Sequence, residues 1–424
     1  MLSRVARVTG LAIAGWMAIA PAGAQTEAAP AVPFATRLEQ ARTTLQVDDS
    51  GLHGAGSRIL ADAVTRARYV MIGEDHLSRE IPQFATGICR IMAPAGLRTF
   101  AVESGPEVAD MVNGELRRPD RSDRIAAFLR AHPHAVAFQD SRDESDMAAQ
   151  CAQMAGAQFR LWGLDQEFLG SGGYLLERML AANPGPHARG AIEALLAFDR
   201  TSSAKALASR SIVDLFLIQV TDRQMADAAA AIAQDGGERV RALFDGLAET
   251  RAIYLGQDFN GFSSNGQRAR LMKRTLLRYL DAGPQPGPIL FKFGAVHAAK
   301  GFNALGQRDL GNFVAERADG EGTSSLHIAV YGARGVRAFY DEVGRAPKTA
   351  PFVLTDDPDF AWLAPVVPAQ GSSGKQRDWT LLDLRALRTN PPADMPEPWR
   401  QMAQQFDLLV IAPELTPTSM LGVN

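Results

Sequence analysis

The chain has 424 residues, 46% of them apolar, and a formal net charge of −3. That apolar content supports a large buried core, and the near-neutral balance excludes the basic footprint of a nucleic-acid binder. Its two cysteines, Cys89 and Cys151, lie too far apart for a zinc ribbon or a Cys-x-x-Cys redox motif, but an oxidising compartment permits a disulfide between them.

The first 24 residues read as a secretory signal peptide. Arg4 and Arg7 make the positive start, residues 11–20 an apolar run too short to span a bilayer, and Ala22-Gly23-Ala24 a cleavage site that leaves Gln25 first. A periplasmic or secreted protein is therefore expected, with no transmembrane segment in the mature chain. Residues 25–45 are rich in Ala and Pro and read as a flexible leader. Residues 46–424 are expected to form a single α/β domain.

A strand is predicted over residues 69–73, stopping at Gly73 and followed at once by Glu74, Asp75 and His76. Ile81, Phe84, Ile88 and Met92 then have helical spacing, with Pro82 suited to a first turn and Pro94 and Gly96 ending the helix. A second strand, residues 99–102, closes on Glu103. A third, residues 159–164, closes on Asp165-Gln166-Glu167. From 171 to 281 the pattern is almost wholly helical, as in Val240, Leu243, Phe244 and Leu247, and reads as a helical insertion. Arg268 and Arg270 are expected to open the last of these helices. The run 287–293 resumes the sheet and leads into Gly294-Ala295-Val296-His297. Further strands are expected at 326–331, 379–384 and 408–411, and Gly371-Ser372-Ser373-Gly374 reads as a turn. Alternation of strand and helix predicts a mostly parallel sheet flanked by helices.

Strand ends carry the chemistry. In a parallel sheet Glu74, His76, Glu103, Asp165 and His297 fall on one edge, where α/β proteins bind ligands. Two copies of Gly-x-x-His close strands at the two ends of the chain. Such a set allows His76 to activate water with a carboxylate orienting it. It also allows His76, Glu103 and His297 to hold a divalent metal, or a histidine to ligate haem. The cofactor is thus open between none, a metal and haem, and the partner between a small-molecule or peptide substrate and haem. Glu74 or Asp75 also suits a helix cap. Arg268 can face an anion or oxyanion, and Asp165 can pair with an arginine. His132 and His134 read as a surface pair; His53, His187 and His327 read as structural. No His-Glu-x-x-His helix, Gly-x-Ser-x-Gly elbow or dinucleotide-binding Gly-x-Gly-x-x-Gly is present.

These motifs resemble the superfamily that holds the erythromycin esterases, the ChaN-like haem-uptake proteins and the Tiki/TraB proteins, in order over residues 60–300. Gly73-Glu74-Asp75-His76 resembles its first motif and Glu103 its acidic second. Gly163-Leu164-Asp165-Gln166 and Arg268-Ala269-Arg270-Leu271-Met272 resemble segments of the esterase branch, and Gly294-Ala295-Val296-His297 the closing motif. The esterases have Gly-Glu-x-x-His and His-Asn-x-His; this chain has Gly-Glu-x-His, closer to the ChaN-like form, and glycine at 294. The resemblance implies ester or amide hydrolysis. His76 would activate water, Glu74 and Glu103 would support it, His297 would assist, and Asp165 and Arg268 would stand behind them or bind substrate. By the Tiki branch it implies metal-dependent hydrolysis, and by the ChaN-like branch haem binding; the alternative to a hydrolase is a haem- or metal-binding uptake protein without turnover.

Overall fold

The computed structural model describes residues 32–256, 262–283, 287–367 and 378–423. The expected signal peptide at 1–24 and the turn at 371–374 lie outside the described residues. Among the described residues eleven strands are formed: β1 Arg42–Asp48, β2 Gly51–His53, β3 Tyr69–Glu74, β4 Thr99–Val102, β5 Arg160–Gly163, β6 Ile289–Gly294, β7 Ser325–Gly332, β8 Arg334–Phe339, β9 Lys348–Val353, β10 Trp379–Asp383 and β11 Leu408–Ala412. Nine make one sheet in the order β2-β1-β10-β11-β7-β3-β6-β4-β5. From β11 to β5 neighbours run parallel; β10, β1 and β2 add an antiparallel margin. The fold is α/β, as predicted.

The central strands are buried on both faces, which is why they read as unbroken apolar runs. Side chains alternate between two cores. Val70, Ile72 and Leu290 join the cluster under the helices Ala55–Arg66, Glu80–Met92 and Arg142–Ala155. Tyr69, Met71, Phe291 and Phe293 join the opposite cluster, with Met272 and Leu276 of the helix Phe262–Asp281. A disulfide joins Cys89 to Cys151 across the first cluster, with Cα atoms 5.5 Å apart.

Helices make up most of the described residues between 172 and 281, among them Asp222–Asp235 and Gly237–Leu255, and bury their own core around Leu176, Ile192, Phe216 and Leu247. Among the described residues no helix is long and apolar enough to cross a membrane.

The leader expected over 25–45 is corrected from Phe34 onward. Phe34, Leu38 and Ala41 recur at helical spacing on the helix Phe34–Ala41 and are buried in the second cluster, and Arg42–Leu45 pair with β10. A segment polar on average carries a stripe sufficient to dock it. The hairpin β8–β9 has no counterpart among the predicted strands; its half-buried positions do not alternate.

Residues 415–421 form a strap over the site edge. Arg79 N–H donates to Thr416 O at 3.0 Å and Thr418 N–H to Leu77 O at 3.0 Å, pinning the loop that follows His76. Arg142 N–H donates to Ser419 O at 2.7 Å and Leu421 N–H to Asp140 O at 2.8 Å, pinning a second loop.

Candidate active site

β3, β6 and β4 are parallel neighbours, so their C-terminal ends bring Glu74, Gly294 and Glu103 together although up to 220 positions separate them in the chain. His76 is held between two carboxylates. Its Nδ1 lies 2.8 Å from Glu74 Oε1, and its Nε2 3.3 Å from Glu103 Oε2. Glu103 is the hub. Its Oε2 accepts from Gly294 N–H at 2.6 Å; its Oε1 accepts from Arg268 at 2.7 Å and faces His297 Nε2 at 3.5 Å. His297 Nδ1 lies 2.8 Å from Asp309 Oδ2, and Asp309 caps the helix Leu310–Gly320 through Leu310 N–H.

All the strand-end residues singled out in the sequence therefore meet, but in unequal roles. His76, Glu103, Asp165 and Arg268 line a cavity of about 340 Å³. Glu74 and His297 are buried behind its wall. Arg268 does not open its helix. It sits inside the helix Phe262–Asp281, and its guanidinium is engaged by Asp165 and Glu103. Neither Glu74 nor Asp75 caps a helix: Glu74 turns to His76, and Asp75 pairs with Arg337 of β8 at 2.8 Å. His132 and His134 are half-buried among aromatic rings instead of forming a surface pair. His327 Nδ1 donates to Ala298 O, and burial holds its pKa down to about 4.

Sequence reasoning missed Lys292, Glu144 and Phe138. Lys292 points from β6 to Glu74 and to Glu144 of the helix Arg142–Ala155, all three buried. Its signal was a lysine inside an otherwise apolar strand. Phe138 stacks on the His76 ring with centroids 3.8 Å apart and planes at 12°. Glycine at 294 also has a cause. A Cβ there would lie 2.9 Å from His76 Nε2 and 3.4 Å from Glu103 Oε2, so a side chain at this position and His76 in this pose exclude each other.

Charge pairing sets the protonation states. Burial alone would lower His76, but Glu103 and Glu74 outweigh it and push it up to about 10. Burial alone would raise Glu103; His297, His76 and Arg268 instead hold it well below the usual carboxylate range. Glu74 is likewise lowered by Lys292 and His76 against its burial. Glu144 goes the other way, burial raising it to about 7 despite Lys292.

Among the described residues no three His, Cys, Asp or Glu side chains are arranged to hold a metal ion. The donors explain why. Both oxygens of Glu103 take hydrogen bonds, a guanidinium lies against it, and each imidazole faces a carboxylate with both nitrogens. This set does not fit a divalent cation.

Beside the cavity, Glu167 accepts from Glu107 N–H at 2.7 Å, while its Oε2 is buried without a partner. Burial pushes its carboxyl up to about 8. The unfolded chain releases this proton near 4.5, so the stability tied to it is complete below that pH and is lost as pH rises to about 8. Glu167→Gln mimics the protonated acid. The variant should match the parent at pH 4.5 and exceed it at pH 8.5, by on the order of a few kcal/mol. Urea unfolding at the two pH values measures this.

No protein-family model matches the chain, and no curated protein matches it in sequence. Solved structures do share its fold. One is an erythromycin esterase, EreC, as a histidine-to-asparagine mutant in its open conformation; it is 14% identical, with 90% of this chain and 100% of that one superposed at a TM-score of 0.62. A succinoglycan biosynthesis protein is 14% identical over 91% of this chain and 97% of its own, at a TM-score of 0.56. A Bacillus cereus protein is 12% identical over 91% and 98%, at a TM-score of 0.54. This chain has the fold of the erythromycin esterase.

Proposed function

We propose that this protein is a hydrolase of ester or amide bonds in which His76 takes the proton from an attacking water. One observation carries the reading: an imidazole held between Glu74 and Glu103 stands on the wall of a cavity in which, among the described residues, no hydroxyl or thiol is placed as a nucleophile. Ser104, the one hydroxyl residue of that wall besides Tyr254, donates its proton to Ala137 O at 2.8 Å, and both cysteines are bonded to each other. Water is then the nucleophile, and Glu74 and Glu103 fix the ring and balance the charge it gains. The esterase sharing this fold supports the choice of bond. His297 acts through Glu103, and Asp165 through Arg268. We place the enzyme in the periplasm or outside the cell, on the leader pattern of residues 1–24 and the buried disulfide.

The test is a pH profile over a panel of neutral carboxylic esters and amides. A base titrating near 10 is neutral in only about one molecule in a thousand at pH 7. Hence kcat/KM should climb about tenfold per pH unit from 7 to 9. Glu74→Gln removes one of the two anions that raise His76, so its limb should move toward neutrality. A rate that falls over this range would make His76 a proton donor instead; no turnover of any ester or amide would end the hydrolase reading.

A further inference from the structure

The hairpin β8–β9 stands outside the main sheet and reaches both flanks of His76. From β8, Arg337 holds Asp75, the residue just before the histidine. Immediately after β8, the Tyr340 hydroxyl accepts from Phe138 N–H at 2.9 Å and donates to Asp140 Oδ1 at 2.8 Å. Both bonds end on one loop, and that loop carries the ring stacked on His76. Phe138 has φ 61°, in the left-handed region that a bulky side chain adopts only when its surroundings impose it. The surroundings do so. Ser104 Oγ donates to Ala137 O, Leu421 N–H donates to Asp140 O, and Tyr340 takes the Phe138 N–H itself. The hairpin is anchored in turn, with Val336 N–H on Leu415 O at 3.0 Å.

Charged groups fix the edge of the imidazole: Glu74 from β3 and Glu103 after β4, with Lys292, Arg268 and His297 behind them. Glu144 and Asp309 stand further back, on Lys292 and His297. Two edge contacts leave the ring free to tilt about the line joining them. Phe138 covers a flat face and removes that freedom, and an aromatic face suits an imidazolium. Tyr340 itself does not line the cavity of His76.

We propose that Tyr340 is a positioning residue of the site, which acts through Phe138 to hold the His76 ring in the plane where Nδ1 meets Glu74 and Nε2 faces Glu103. Its consequence for turnover rests on the hydrolytic role of His76; its consequence for ring position does not. The two are therefore tested apart.

The experiment uses the full chain with labelled histidine, and a His76→Asn variant identifies the His76 signal among the seven histidines. A stacked phenyl ring shields the imidazole Cε1 proton and moves it upfield. Phe138→Leu should abolish that shift. Tyr340→Phe, which removes only a hydroxyl, should abolish most of it. Asp140→Asn retains an acceptor for the hydroxyl and should keep it. With an ester substrate, Tyr340→Phe should lower kcat by about 10- to 100-fold and leave KM within about threefold, as expected of a misplaced but still accessible base. Circular dichroism establishes that each variant is folded. A folded Tyr340→Phe protein whose His76 signal stays at the parent position overturns the proposal. Should neither parent nor variants hydrolyse any ester, the hydrolase reading fails while the signal still decides the role of Tyr340.

Discussion

Replacing His76 by asparagine is expected to lower kcat/KM toward the best ester by about 10²- to 10⁴-fold, the range over which a positioned proton-transfer group acts. The fold should survive. The ring lies at the cavity wall, and each carboxylate it leaves keeps other partners: Glu74 retains Lys292, and Glu103 retains Arg268 and Gly294 N–H. The melting transition should stay cooperative, with a midpoint a few degrees lower at most pH values. The stability that His76 contributes has a definite window. Its folded pKa, about 10, lies above the ordinary 6.5, so the contribution is complete below pH 6.5 and is lost as pH rises toward 10. Parent and variant should therefore converge in stability at alkaline pH. Steady-state kinetics beside thermal melts at pH 6 and pH 10 give both readings. A variant that keeps its activity while folded removes His76 from the mechanism.

Replacing Arg268 by methionine should destabilise the fold by about 3–5 kcal/mol. The guanidinium spans two buried carboxylates that come from the ends of different strands, Glu103 and Asp165. Its Nε lies 2.9 Å from Asp165 Oδ1, and one terminal nitrogen serves both acids. Methionine fills much the same volume but leaves Asp165, among the described residues, with the N–H of Gln166 as its hydrogen-bond donor. Removing one member of a buried set strands the charge of the others, and that cost exceeds whatever the intact set contributes. Lysine restores the charge but not the planar fork, so Arg268→Lys should recover only part of the loss. Urea denaturation of the three proteins at pH 7 decides it. A methionine variant within 1 kcal/mol of the parent would mean that water or a local shift satisfies both acids.

The meeting of residues 74, 76, 103, 165 and 297 was legible because parallel strands expose one set of ends on one edge, and each of those strands ends abruptly in a polar group. What the strand ends bond to was not legible. Lys292 interrupts an apolar run by a single residue, and only the pairing of β6 with β3 brings it to Glu74. Asp309 and Glu144 stand in helix starts that read like any other. Phe138 lies in a loop whose left-handed backbone no local residue type announces, since glycine is the usual signal. The partners of Arg268 were not legible for a related reason. An arginine opposite two acids is captured by them, and sequence does not say which side of its helix faces them.

The strap of residues 415–421 gives the site an order of assembly. A polypeptide emerging from the ribosome carries every strand-end acid and imidazole by residue 297, yet the loop beyond His76 is pinned by backbone bonds from Thr416 and Thr418, more than three hundred positions after it. Contacts so distant in sequence form late. A chain that lacks this strap would carry the strand-end acids and imidazoles without the backbone bonds that hold the loop beyond His76.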